Sequence, residues 1–173
     1  MRTLLLLVLI FGFFNCESNK KVKTNEVETQ IRDNDLYEPT ATESASIEEN
    51  YQVGVDFLNN YIESMENLEI LEFVKNSELA SEDLKNALED LVIKSWEENP
   101  KIGLLFNPLF DAQDYPSEGV EKYSFDPAKG IVVVQGINWK DFKVAMRIIE
   151  EDGHLLVDGC GAVNMPLSQR MAR

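Results

Sequence analysis

Apolar positions change their spacing several times along this chain, and each change predicts an element. Leu4 to Phe14 is an almost unbroken apolar run without a polar face. From Glu17 to about Ser44, large apolar residues are scarce among Lys, Glu, Thr, Ser and Asn. Tyr51, Val55, Leu58, Ile62 and Met65 then step by 4, 3, 4 and 3, which is one face of a helix, widened by Phe57 and Tyr61. Ser46 and Glu49 stand at capping-box spacing ahead of this stripe and predict a helix start there. Gly54 lowers helix propensity and is expected to mark a close packing contact. "NLEILEFVKNSEL" predicts a short second helix carrying Leu68, Leu71 and Val74. In "ASEDLKNALEDLVIKSWEENP", Ser81 reads as an N-cap with Glu82 and Asp83 at the positive helix end. Leu84, Leu88, Leu91 and Val92 share a face of that third helix, and Asn99-Pro100 ends it.

Beyond Pro100 the helical period is lost. "IGLLFNPLFDAQDYPSEG" holds two prolines and no clean period, and reads as a buried irregular crossing with one short helix or strand. "GVEKYSF" alternates, "DPAKG" turns, "IVVVQG" is strongly β-forming, and "FKVAMRII" alternates again. Asp152-Gly153 is a two-residue turn signal that fixes a register for the last hairpin. With that turn, Ile148 faces Val157, Met146 faces Gly159 and Val144 faces Gly161. The opposite face sets Ile149 beside Leu156, Arg147 beside Asp158 and Ala145 beside Cys160. Strand glycines at 159 and 161 imply bending or close approach. The predicted class is α+β, with N-terminal helices packed on a strongly curved antiparallel sheet in a cone-shaped domain.

The apolar run before Cys16 is too short to span a bilayer: as a helix it reaches about 16 Å against a hydrocarbon core of about 30 Å. A charged start, a short apolar stretch and a polar sequel read as an export signal. The site at Cys16 resembles the signal of bacterial lipoproteins, in which the cysteine receives lipid and becomes the first mature residue. Phe13 and Asn15 stand where that family favours Leu and a small residue. The alternative is cleavage nearby by the ordinary signal peptidase. The expected organisation is therefore a signal peptide over 1–15, a lipidated flexible tether over 16–45 and a domain over 46–173. The tether is too polar to offset its own ordering entropy. Attachment to the membrane would run through the covalent lipid at Cys16, in the bacterial cell envelope, on the periplasmic side or the cell surface.

Charge narrows the partners. The 173 residues hold 16 basic and 31 acidic side chains, a formal charge of −15. Such a surface repels phosphate backbones and so excludes nucleic acid as the expected partner. With one histidine and two cysteines, no zinc-type spacing occurs, and neither metal nor cofactor is expected. Lipid on Cys16 would leave Cys160 without a disulfide partner.

"NPLFDAQDYP", "IVVVQG" and "EEDGHLLVDGCGAVNMP" carry a resemblance. The region from about Ile47 to Pro166 resembles the nuclear transport factor 2-like superfamily, and within it the bacterial group called domain of unknown function 3828. The resemblance implies a cone-shaped fold and a homodimer formed through the open sheet. It does not choose between a ligand- or protein-binding domain, including immunity-type binding of a toxin, and a small cone-pocket enzyme of isomerase or dehydratase type.

Candidate contacts follow from the polar residues on the crossing and the connections. Asp111, Gln113 and Asp114 could line a pocket mouth, or could serve turn and backbone bonding around the prolines. Trp139 falls at a strand connection, as a partner anchor or as packing over the sheet edge. His154 is expected beside a tight turn, exposed and without a role. Asp158 is expected to form a structural cross-strand pair with Arg147 rather than to act as a catalytic acid or base. Trp96 and Phe106 are assigned to core or rim, and Cys160 to a small buried filler. No catalytic residue is assigned, and the expected function is non-enzymatic binding of a protein or small ligand. Mass spectrometry of the mature chain is expected to find lipid on an amino-terminal Cys16. An unmodified Cys16, or a terminus elsewhere, would overturn the anchor.

Overall fold

Residues 41–172 are described by a computed structural model, with side chains from Glu49 onward. Cys16, the signal and the tether up to residue 40 lie outside the described residues. Three helices, α1 (Ala41–Ser64), α2 (Ile70–Asn76) and α3 (Glu82–Glu98), precede four strands, β1 (Val120–Asp126), β2 (Ile131–Gly136), β3 (Lys143–Glu151) and β4 (His154–Cys160). The strands form one antiparallel sheet in the order β1-β2-β3-β4. The α+β class expected from the sequence is the class observed.

The first helix begins at Ala41, so Ser46 lies inside it instead of capping it. Residues 41–45, which the expected tether includes, belong to this helix. The remaining boundaries follow local chemistry. Ser81 caps α3 by accepting a hydrogen bond from the Leu84 amide at 3.1 Å. Gly130 and Gly153, both in the left-handed region, close the β1–β2 and β3–β4 turns.

Helix α1 lies across the sheet and packs against all four strands. Its Phe57 and Leu58 are fully buried with Val132 and Val134 of β2 and Val144 and Met146 of β3. Gly54 makes this approach possible: a Cβ there would stand 2.7 Å from the Met146 methyl carbon. An amide side chain fixes the helix to the sheet edge. Asn59 Oδ1 accepts from the Val120 N–H at 2.8 Å, and its Nδ2 donates to the Val120 carbonyl at 3.1 Å. Asn59 thus supplies the donor and acceptor that a neighbouring strand would offer β1 at this residue.

The irregular crossing between α3 and β1 is anchored rather than loose. Leu109 and Phe110 are fully buried, and Phe110 stacks on Tyr115 with ring centroids 5.4 Å apart. Backbone bonds between Asn107 and Ala112 close a tight loop, where a short helix or strand was expected and neither forms. On the opposite face of the sheet, Ile131 and Ala145 are covered by Met165, with Val133 and Met171 packed alongside.

The last hairpin departs from the predicted register halfway along. Ile148 faces Val157 and Ile149 faces Leu156 as expected, but Arg147 then faces Gly159 and Met146 faces Cys160. Asp158 is the extra residue of a β-bulge, and everything beyond it shifts by one. Cys160 therefore points into the main core beside Met146 instead of lying opposite Ala145. Gly161 leaves the strand in the left-handed region at φ 56°, where an added Cβ would lie 2.3 Å from the Leu109 carbonyl oxygen. Gly161→Ala is expected to destabilise the fold by more than ~2 kcal/mol, through clash with backbone and conformational strain. Gly153→Ala, whose Cβ meets nothing within 4 Å, should cost about half that or less. Denaturant unfolding of the two variants measures the difference.

Candidate functional site

Three regions bear on function: the polar cluster at the bulge, the crossing loop, and the clefts. The bulge buries the side chain of Asp158, which together with Ser81 makes up the buried polar set among the described residues. Ser81 Oγ donates to Asp158 Oδ1 at 2.8 Å while still capping α3. Arg147 reaches Asp158 Oδ2 with Nε at 2.8 Å and with a terminal nitrogen at 2.6 Å. Asn164 Nδ2 donates to the Asp158 carbonyl at 2.7 Å. Next to it, the Leu79 carbonyl accepts from the Val157 N–H, and the Ser81 N–H donates to the Val157 carbonyl, so the α2–α3 connection pairs with the edge of β4. The expected contact between Arg147 and Asp158 is present, but the bulge makes it, since Gly159 is the residue opposite Arg147. Both oxygens of Asp158 have structural partners, and this arrangement holds elements together.

Asp111, Gln113 and Asp114 sit on the crossing loop before β1, and Trp139 lies between β2 and β3. Asp111 is half-buried at φ 52° within the tight loop, whereas Gln113 and Asp114 are exposed. None of the three is among the residues that line the cleft between α1 and the β3–β4 hairpin. Trp139 remains 45 % exposed while its ring packs on Phe142 with centroids 4.9 Å apart, so it covers the sheet end and still presents a face to solvent. Trp96 and Phe106 belong to the rim, Trp96 lying over Gly103. Tyr61, buried between Phe73 and Phe110, accepts a hydrogen bond from Asn107 Nδ2 at 2.7 Å, and burial pushes its phenol up from 10.0 to about 12. Burial likewise raises the Cys160 thiol, whose sulfur lies 3.3 Å from the Leu109 carbonyl oxygen; it is an inert core group.

A cleft of about 790 Å³ between α1 and the β3–β4 hairpin was not singled out by the sequence pattern. One wall is α1, which presents Glu49, Gln52, Val53 and Asp56 at helical spacing. The other wall is the β3–β4 hairpin from Glu151 to Leu156, and Glu78-Leu79 closes one side. Val53, Leu79, Leu155 and Leu156 are half-buried and apolar, whereas Glu49, Glu78, Glu151, Asp152 and His154 are exposed around them. The helical stripe is legible in the sequence, but its meeting with the hairpin is a tertiary event. Among the described residues, no three His, Cys, Asp or Glu side chains come together in a way that could hold a metal ion.

No family model, curated protein or solved structure matches this chain.

Asp158→Asn keeps the shape of the side chain but removes the charge that Arg147 and Ser81 address. It is expected to destabilise the domain by on the order of 2–4 kcal/mol, the cost of breaking a largely buried pair. A double-mutant cycle with Ser81→Ala should show coupling; additive losses would mean that Asp158 and Ser81 act independently.

Proposed function

We propose that this chain is an exported bacterial lipoprotein, lipid-anchored at Cys16, whose α+β domain binds a protein partner and does not catalyse a reaction. The observation that carries this is the distribution of charge. Inside, the buried carboxylate of Asp158 is fully engaged by Ser81 and Arg147. A proton-transfer enzyme of isomerase or dehydratase type would need ionisable groups directed into one apolar cavity. Outside, acidic side chains outnumber basic ones and, among the described residues, gather without counter-ions around the cleft between α1 and the β3–β4 hairpin.

A surface of this kind favours a cationic partner, such as a basic toxin neutralised by immunity-type binding or a basic wall-associated protein. It disfavours anionic lipid, so the covalent lipid would supply the membrane attachment. No described helix is long and apolar enough to cross a membrane. A nuclear transport factor 2-like cone would suit this role, with homodimerisation through the open sheet as the oligomer to test.

Capture from solubilised envelopes with the full-length lipidated chain is expected to retain a basic protein at low ionic strength. Raising salt to about 1 M shortens the screening length from ~10 Å to ~3 Å and should release it. Failure to retain any partner would overturn the binding role, as would turnover of a substrate by the purified chain.

A further inference from the structure

We infer that the cleft between α1 and the β3–β4 hairpin is the docking groove for a basic, amphipathic segment of a protein partner. This rests on the binding role proposed above and names the place and the chemistry that the role would use.

Three observations select this occupant. The first is sign. Glu49, Asp56, Glu78, Glu151 and Asp152 all line the cleft, and no Lys or Arg among the described residues does. Elsewhere some acids have a cation beside them: Glu89 pairs with Lys75 at 2.7 Å, Asp126 with Lys129 at 2.8 Å, and Glu121 with Lys140. The five groove carboxylates make no ion pair among the described residues; Asp56 accepts only from Gln52, one turn away on the same helix. A wall of one sign concentrates field in the cleft and favours positive ligands.

The second is spacing. The carboxylates are distributed over α1, the α2–α3 connection and the hairpin tip, and they do not converge as a site for a single metal ion would require. A ligand with several separated positive charges matches this layout better than one with a single charge.

The third is the floor. Val53, Leu79, Leu155 and Leu156 offer apolar surface between the acidic rims. A purely polar polycation would leave that surface uncovered, whereas Leu- or Val-type side chains between Lys or Arg residues would cover it. The rim is exposed, so an occupant is embraced from one side. A small-molecule pocket would bury 70–90 % of its ligand. The occupant is therefore a stretch of polypeptide.

The test uses the full-length chain in detergent and a fluorescent peptide of Lys and Leu at helical spacing, read by anisotropy. Tight, salt-sensitive binding is expected. The variant Glu78→Lys with Glu151→Lys should weaken it at least about tenfold. Glu72→Lys with Glu97→Lys, an equal charge change at exposed sites outside the groove, should weaken it by less than about twofold. A peptide with Ser in place of Leu should bind at least about tenfold more weakly, which reads the floor without altering the protein. All four substituted sites are exposed, and thermal unfolding checks that both variants remain folded.

Equal losses in both variants would reduce the effect to overall charge and overturn the groove. Undiminished binding of the Ser peptide, or displacement by spermine as potent as by the Leu peptide itself, would overturn the amphipathic occupant. If the Lys/Leu peptide fails to bind while envelope capture still retains a basic protein, the groove assignment falls and the binding role stands. If both fail, both fall.

Discussion

A carboxylate taken out of water must be met by donors on every side, and Asp158 imposes that condition on four separate parts of this domain. Ser81 comes from the start of α3, Arg147 from β3 and Asn164, whose Nδ2 lies 3.5 Å from Oδ2, from the turn after β4, while Asp158 belongs to β4 itself. Desolvating the group costs several kcal/mol unless these partners are in place. The extra residue at the bulge is what lets a strand position reach them. Because Ser81 also caps α3, the direction of that helix is set by the same contact that sets the end of the hairpin. The parallel bridge from the α2–α3 connection covers part of β4, leaving β1 as the opposite edge of the sheet.

Around that point the hydrophobic core is distributed so that irregular chain becomes rigid. The crossing before β1 has almost no secondary structure, yet Leu109 and Phe110 are as buried as the helix residues they touch. Their carbonyl neighbourhood is reserved for Gly161, since any side chain there would meet backbone oxygen. Asn59 and Asn107 each use a side-chain amide to complete hydrogen bonding that strands or helices would otherwise supply. Loop and sheet thus fix one another through glycine and amide chemistry, and the charged residues of the surface remain largely outside this framework.

Element types and most boundaries were legible because local rules decide them. The Ser81 cap, the Pro100 stop and the Asp152-Gly153 turn each act within a few residues. Two features were not. The start of α1 at Ala41 overrides a capping-box spacing at Ser46, showing how weak a two-residue signal is without its geometry. The bulge at Asp158 could not be read from alternation, because it exists to satisfy partners far away in sequence. That single insertion exchanged the environments expected for Cys160 and Gly159 while preserving the Arg147 contact. The groove escaped for the same reason: its polar stripe on α1 looks like an ordinary solvated face until the hairpin stands opposite. The polar residues of the crossing attracted attention through their types, but Asp111 turned out to occupy a left-handed loop position, and Gln113 and Asp114 to face solvent.

The groove's two walls lie near opposite ends of the domain, one in its first helix and the other in its last hairpin. No short fragment of the domain contains both. The cleft exists only where α1, the Glu78-Leu79 connection and the β3–β4 hairpin stand together. Anything that recognises the cleft therefore binds the native chain and ignores the unfolded one, and so adds RT ln(1 + [L]/Kd) to stability. Occupancy would amount to about 2.7 kcal/mol at a hundredfold excess over Kd. A bound partner would act as a thermodynamic brace across both ends of the fold.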